Sequence, residues 1–215
     1  MLQVSAVEKN TFGLLTRLMQ EPLFGDTRLV GGTSLALQLG HRKSTDLDLF
    51  TVSAPDIESI VSLLSEKYGY TAQIITGNTT IGYIEGIKID VIYHPFQWLE
   101  DPLVEGVIRL ASLKDIVAMK MHAITNSGQR PKDFVDIAYL SRRFSYNQMK
   151  ELALKKYPAY DPIMFDRAII YFSDVNTEAI DKIKMTNGEM DWNKITSRII
   201  KMTSKPDSVF KSNPL

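Results

Sequence analysis

The chain has 215 residues, with 25 lysines and arginines against 25 aspartates and glutamates, so its formal net charge is zero. That length suits one domain or two small ones, and 44% hydrophobic with 23% charged residues is ordinary for a folded globular chain. A zero balance excludes a global pull toward nucleic acid but leaves room for a local basic patch, and the absence of cysteine excludes disulfides, zinc–thiolate sites and thiol nucleophiles. No apolar run approaches the ~18 residues of a membrane span. The opening MLQVSAVEKN lacks the basic and apolar regions of a secretory signal. The expectation is a cytoplasmic protein with no membrane association.

In chain order, residues 5–20 read as an amphipathic helix with Phe12, Leu15, Leu18 and Met19 near one face. TRLVGG is a short strand ending in a glycine turn. TSLALQL is a helix that Thr33 or a neighbour is placed to cap, and Gly40 closes it. DLDLFTV alternates polar and apolar at period two, as a strand does. Pro55 opens a helix that runs to about Tyr68. TAQIIT, TIGYIEG and IKIDVIY form an antiparallel run with turns at Asn78 and Gly86. Beyond a change of character near 100–112, SLKDIVAMKMHAI, PKDFVDIAYLSRRF, NQMKELALKKY, MFDRAIIYF and residues 190–203 read as helices. SKPDSVFKSNPL reads as a loose polar tail. The expected division is 1–108 as an α/β domain, 109–204 as a helical domain and 205–215 as the tail.

The chemistry concentrates in RLVGGTSLALQLGHRKSTDLDLF, residues 28–50. On a strand, residues i and i+2 share a face, so Asp46 and Asp48 project together while Leu47 and Leu49 point inward. Two neighbouring carboxylates repel unless a cation lies between them. A hard divalent ion such as Mg²⁺ (or Mn²⁺) prefers such oxygens and brings phosphate with it. IKIDVIY supplies a third acid, Asp90, which completes the cluster if its strand lies beside the first. Gly31 and Gly32 let a phosphate approach the backbone, and the helix that follows offers free N–H groups and the positive end of its dipole. Arg42, in the loop before the acids, is suited to a bidentate phosphate contact, the alternative being a solvated loop cation. Lys120 falls on the apolar side of its helix, where it either meets an anionic partner or snorkels to the surface. Asp133 sits in a first helical turn, where an acid is favoured, and Asp136 lies deeper among apolar residues, paired with a cation such as Lys120 or Arg130. His94 and His122 have no partner at metal-ligand spacing and read as structural or surface residues.

An apolar residue, Gly-Gly, about a dozen residues and acid–apolar–acid resembles the signature of polymerase β-like nucleotidyltransferases. More narrowly, GGTSLALQLGHRKSTDLDLF resembles the AbiEii toxin family of type IV toxin–antitoxin and abortive-infection systems, with Ser34 in place of that family's alanine. AMKMHAI and RPKDFVDIAYL match its further lysine and Lys-Asp-aromatic-x-Asp patterns, so the resemblance covers about residues 27–140. It implies an α+β fold: a mixed sheet with flanking helices, then a helical C-terminal half. It implies a metal-dependent enzyme that binds a nucleoside triphosphate (NTP) through Gly31, Gly32, Thr33, Ser34 and Arg42. Asp46, Asp48 and Asp90 then hold the metal and catalyse, with Asp90 helping to deprotonate the acceptor hydroxyl. By the same analogy Lys120 contacts phosphates, and Lys132, Asp133 and Asp136 line or brace the site. RNA, a tRNA end foremost, is the expected acceptor, with cations of HRKS, GQRPK and SRRF gathered around it, and an antitoxin is a possible partner. A small-molecule or protein acceptor, or a partner-docking module without catalysis, are the alternatives.

Overall fold

The computed structural model describes all 215 residues, and the chain forms two compact units, Met1–Ser112 and Leu113–Leu215. The architecture is α+β, as the sequence indicates. In the first unit a short 3₁₀ turn (Val4–Ala6) precedes α1 (Lys9–Leu18), β1 (Arg28–Leu29), α2 (Gly31–Leu39), β2 (Leu47–Thr51) and α3 (Ile57–Tyr68). Then come β3 (Thr71–Thr76), β4 (Thr79–Ile84), β5 (Ile87–Tyr93), β6 (Leu103–Glu105) and β7 (Ile108–Leu110). The seven strands form one sheet in the order β3-β4-β5-β2-β1-β7-β6.

Alternation of side chains produces this arrangement. Leu47, Leu49, Ile89 and Val91 point into a core shared with Leu14, Leu15, Leu18, Leu29, Leu37 and Ile60, which leaves the even-numbered residues of β2 and β5 on the opposite face. β5 is antiparallel to β4 and parallel to β2, and β1 is antiparallel to β2 and parallel to β7. Glu85 and Gly86 both have positive φ, 50° and 79°, as a two-residue type I′ hairpin requires. Gly40 closes α2 in the left-handed conformation, its N–H bonded to the carbonyl of Ala36.

Several expectations needed correction. The first helix begins at Lys9 because residues 4–6 form a 3₁₀ turn. Pro55 lies outside α3, whose cap is the Asp56 side chain accepting from the Ser59 N–H. Thr33 does not cap α2: the cap position is Val30, which supplies no side-chain hydrogen bond. β6 and β7 are a short hairpin around Gly106 (φ 61°).

The second unit is helical: α4 (Leu113–Asn126), α5 (Pro131–Leu140), α6 (Tyr146–Lys156), α7 (Pro162–Ile169) and α8 (Trp192–Ser204). Ile116, Val117, Phe134, Ile137, Met149, Phe165, Ile195 and Ile199 are buried in it. Ser145 and Gln148 complete a capping box at α6. The segment after Lys205, expected to be loose, is tied down. Asn147 N–H donates to the Pro206 carbonyl, Phe210 N–H to the Ser141 carbonyl, and Arg198 to Ser212 and Asn213. Polar composition alone hides such anchoring, because the partners are backbone carbonyls. No helix is long and apolar enough to cross a membrane.

Candidate active site

The glycines, Arg42 and the three acids belong to the first unit. β2 and β5 pair with Asp48 directly beside Asp90, so the two side chains stand on the same, non-core face of neighbouring parallel strands. Asp46 precedes Asp48 by two residues, just before β2 begins. Asp90 is only 8% exposed. One of its oxygens, Oδ2, accepts from Lys88 Nζ at 2.6 Å, while the other, Oδ1, is buried with no hydrogen-bond partner. A buried carboxylate oxygen without a donor is costly, and it is the sort of atom a cation satisfies.

The Gly-Gly pair is built against these groups. Gly31 has φ 66°, and a Cβ there would lie 2.2 Å from Asp48 Oδ2. A Cβ on Gly32 would lie 2.3 Å from a terminal guanidinium nitrogen of Arg42. Only residues without side chains let the start of α2 sit between a carboxylate and a guanidinium. Because α2 has no side-chain cap, its first turn retains N–H groups for an anion. Arg42 is 1% exposed, so the reading of it as a solvated loop cation is set aside: it is packed against α2, with one amino group donating to the Lys43 carbonyl at 3.1 Å. Thr33 and Ser34 are fully buried. The Thr33 hydroxyl bonds to the Ser44 hydroxyl and the Asp46 carbonyl, which fastens the acid-bearing loop to α2. Ser34 Oγ accepts from Gln38 at 3.2 Å. Those two hydroxyls therefore serve the scaffold.

One residue of the site escaped the sequence reading. Lys88 sits two positions before Asp90 on β5 and shares its face. Burial pulls its ammonium pKa down, but the hydrogen bond to Asp90 and the fields of Asp90, Asp48 and Asp46 outweigh this and hold it above the ordinary lysine value. All three carboxylates thus act on one ammonium. The signal was present in IKID, because i and i+2 share a face. No set of three or more acidic or histidine side chains stands ready as a metal cage; one oxygen of Asp90 is engaged by Lys88 instead. The donor set itself suits a hard cation: clustered carboxylates, one with a buried unpartnered oxygen, beside an uncapped helix start.

The remaining candidates lie in the second unit. Lys120 on α4 is 7% exposed, and its Nζ lies 2.6 Å from Asp133 and 2.7 Å from Asp136 on α5. Arg130 approaches Asp133 from its other oxygen at 3.1 Å. The anionic partner that an inward lysine requires is thus this pair of carboxylates. Lys132 is exposed. A second buried pair, Lys156–Asp115 at 2.9 Å, is completely inaccessible. His94 lies between the rings of Phe50 and Phe96, and His122 stacks on Tyr157 at 4.0 Å between centroids; both are packing residues.

The sequence profile of the AbiEii family, described as nucleotidyl transferase toxins of type IV toxin–antitoxin systems, matches residues 13–211. The chain belongs to this family. An uncharacterized protein of Aquifex aeolicus is 29% identical over 176 residues, which is 79% of this chain and 85% of that one. Two Helicobacter pylori crystal structures share the fold. One, a protein assigned as a candidate nucleotidyltransferase, has 15% identity and a TM-score of 0.61, covering 93% of this chain and 96% of its own. The other, JHP933, has 16% identity and a TM-score of 0.57, with 94% and 93% covered. The strand–Gly-Gly–helix–loop–strand unit of this AbiEii member is thus part of a nucleotidyltransferase fold.

Gly31→Ala tests how tightly the α2 start is fitted. A positive φ on a non-glycine residue costs about 1–3 kcal/mol, and the new methyl must also displace the Asp48 carboxylate. The expected outcome is a lower melting temperature together with lost nucleotide-induced stabilisation, read by thermal unfolding with and without Mg²⁺–NTP. A variant with wild-type behaviour in both would mean that the close approach is not required.

Proposed function

We propose that this AbiEii member transfers a nucleotide from an NTP to an acceptor hydroxyl, with Mg²⁺ or Mn²⁺ held by Asp46, Asp48 and Asp90. The observation that carries this reading is the β2–β5 register, which sets Asp48 beside Asp90 while Gly31 brings the start of α2 against Asp48. When bound, the divalent ion supplies Lewis-acid stabilisation of the attacking and leaving oxygens. The chain's own groups do the rest. Backbone N–H groups at Gly31 and Gly32 hold phosphate oxygens. Arg42, held at Gly32, adds positive charge where the triphosphate lies. Asp90 accepts the proton of the acceptor hydroxyl as its oxygen attacks the α-phosphorus. The bond from that phosphorus to the α–β bridging oxygen then breaks, and pyrophosphate departs. Lys120 and Asp136 support the enzyme by fixing α4 against α5.

The acceptor we assign is RNA, with a tRNA end foremost. Arg130, Lys132, Arg142 and Arg143 are exposed on the second unit and suit a phosphate backbone, although Arg42 is buried and does not join them. An enzyme with these substrates works in the cytoplasm. The family's toxin–antitoxin description supports a cognate antitoxin that restrains it. The test is incubation with Mg²⁺, each labelled NTP in turn, and either total tRNA or a panel of small hydroxylated molecules. Label is expected in tRNA, with binding that falls steeply as salt rises, because contacts with phosphates release counterions. Label confined to small molecules, with little salt dependence, would reject RNA. Label in neither, with tight binding to a neighbouring gene product, would favour a docking module.

A further inference from the structure

We propose that Lys88 is a built-in counter-cation of the acid cluster, so that the cluster takes up a divalent ion tightly only together with a triphosphate. This rests on the proposed metal role of Asp46, Asp48 and Asp90. Lys88 Nζ lies 2.6 Å from Asp90 Oδ2, and Lys88 and Asp90 share the face of β5 on which Asp48 stands in the next strand. Its side chain is 35% exposed, so the ammonium is rooted in the cluster yet free to swing on a flexible four-carbon stem.

The consequence follows from charge. Three carboxylates around one ammonium leave the resting cluster with a formal charge of −2. A dication entering alone must either share the cluster with a like charge a few ångströms away or displace the ammonium from Asp90 with no added negative charge to compensate it. A triphosphate changes both terms. It brings its own negative charge and gives Lys88 a second anionic partner, so the ammonium can leave Asp90 Oδ2 as the ion arrives. Asp90 Oδ1, buried and without a partner, is the oxygen left unsatisfied in the resting cluster. Lys88 thereby positions Asp90 at rest and couples metal uptake to nucleotide uptake. It also suppresses metal-only occupancy of the cluster.

The test is calorimetric titration of Mn²⁺ into the full chain, with no nucleotide present, for the wild type, Lys88→Met, Lys88→Gln, Lys88→Arg and Asp48→Asn. Circular dichroism confirms that each variant is folded. Lys88→Met and Lys88→Gln are expected to bind Mn²⁺ at least tenfold more tightly than the wild type. Lys88→Arg keeps the charge and is expected to remain weak. Adding a non-hydrolysable triphosphate analogue is expected to tighten Mn²⁺ binding in the wild type much more than in Lys88→Met. If Lys88→Met binds no more tightly than the wild type while Asp48→Asn abolishes binding, the metal site stands and the role of Lys88 is overturned. If no form binds Mn²⁺ even with the analogue, the metal reading itself fails, and the inference with it.

Discussion

Asp48→Asn is expected to lower nucleotide transfer by at least ~10³-fold, the upper end of what removing one preorganised electrostatic group costs, while leaving the fold intact. The two halves of that expectation have one cause. Asp48 stands beside Asp90 and in contact with the space a Gly31 side chain would fill, away from the core, and in the proposed mechanism its charge serves the bound ion and phosphate. In the protein without ligand, neutralising one of several adjacent carboxylates removes repulsion. An asparagine of the same shape should leave the protein folded without ligand, while the stabilisation given by Mg²⁺ with NTP disappears. A variant that loses activity because it unfolds would show the opposite: a lowered melting temperature before any ligand is added. Activity within a few-fold of wild type would remove Asp48 from the chemistry.

Lys120→Ala is expected to destabilise the protein by about 3–5 kcal/mol, the usual cost of removing one partner from a buried charge pair. The reason is Asp136, which is fully buried with Lys120 Nζ at 2.7 Å. Arg130 reaches Asp133, so Asp133 retains a counter-charge when the lysine is lost. Denaturant unfolding measures the loss, and Lys120→Met/Asp136→Asn should recover a large part of it by removing the buried carboxylate charge together with that of the lysine. A Lys120→Ala protein as stable as the wild type would show that the triad holds nothing together. Loss of activity in a Lys120 variant therefore carries weight for phosphate contact only at temperatures where the variant is still folded.

How legible this was depends on the range of the interaction. The alternation in DLDLF and IKIDV revealed both strands and the face each acid takes, because the pleat has a period of two. The pairing of those strands is a long-range event across α3, β3 and β4. The sequence could state it only as a condition, and the register Asp48–Asp90 came from the fold. Gly40 and Gly86 were readable because each must adopt positive φ. The role of Thr33 was not: its hydroxyl is drawn away from capping by Ser44 and Asp46 in the returning loop. Arg42 illustrates the same limit. A cation in HRKS reads as solvated until the fold packs it against Gly32. The Lys120–Asp136 pair was accessible to periodicity, since an inward charge on one apolar helix requires an opposite charge on another. Lys88 was legible in principle, because Lys88 and Asp90 of IKID, two apart on a strand, share a face.

The most direct test of metal-dependent nucleotidyl transfer is the fate of the phosphates. Protein, Mg²⁺ and RNA are incubated with NTP labelled at the α-phosphorus in one reaction and at the γ-phosphorus in a parallel one, with Asp48→Asn and excess chelator as controls. α-Label is expected to enter RNA covalently while γ-label appears only in pyrophosphate, and both events should cease in the two controls. Transfer of γ-label to the acceptor, or incorporation of α-label that persists in Asp48→Asn with chelator, would contradict nucleotidyl transfer at Asp46, Asp48 and Asp90.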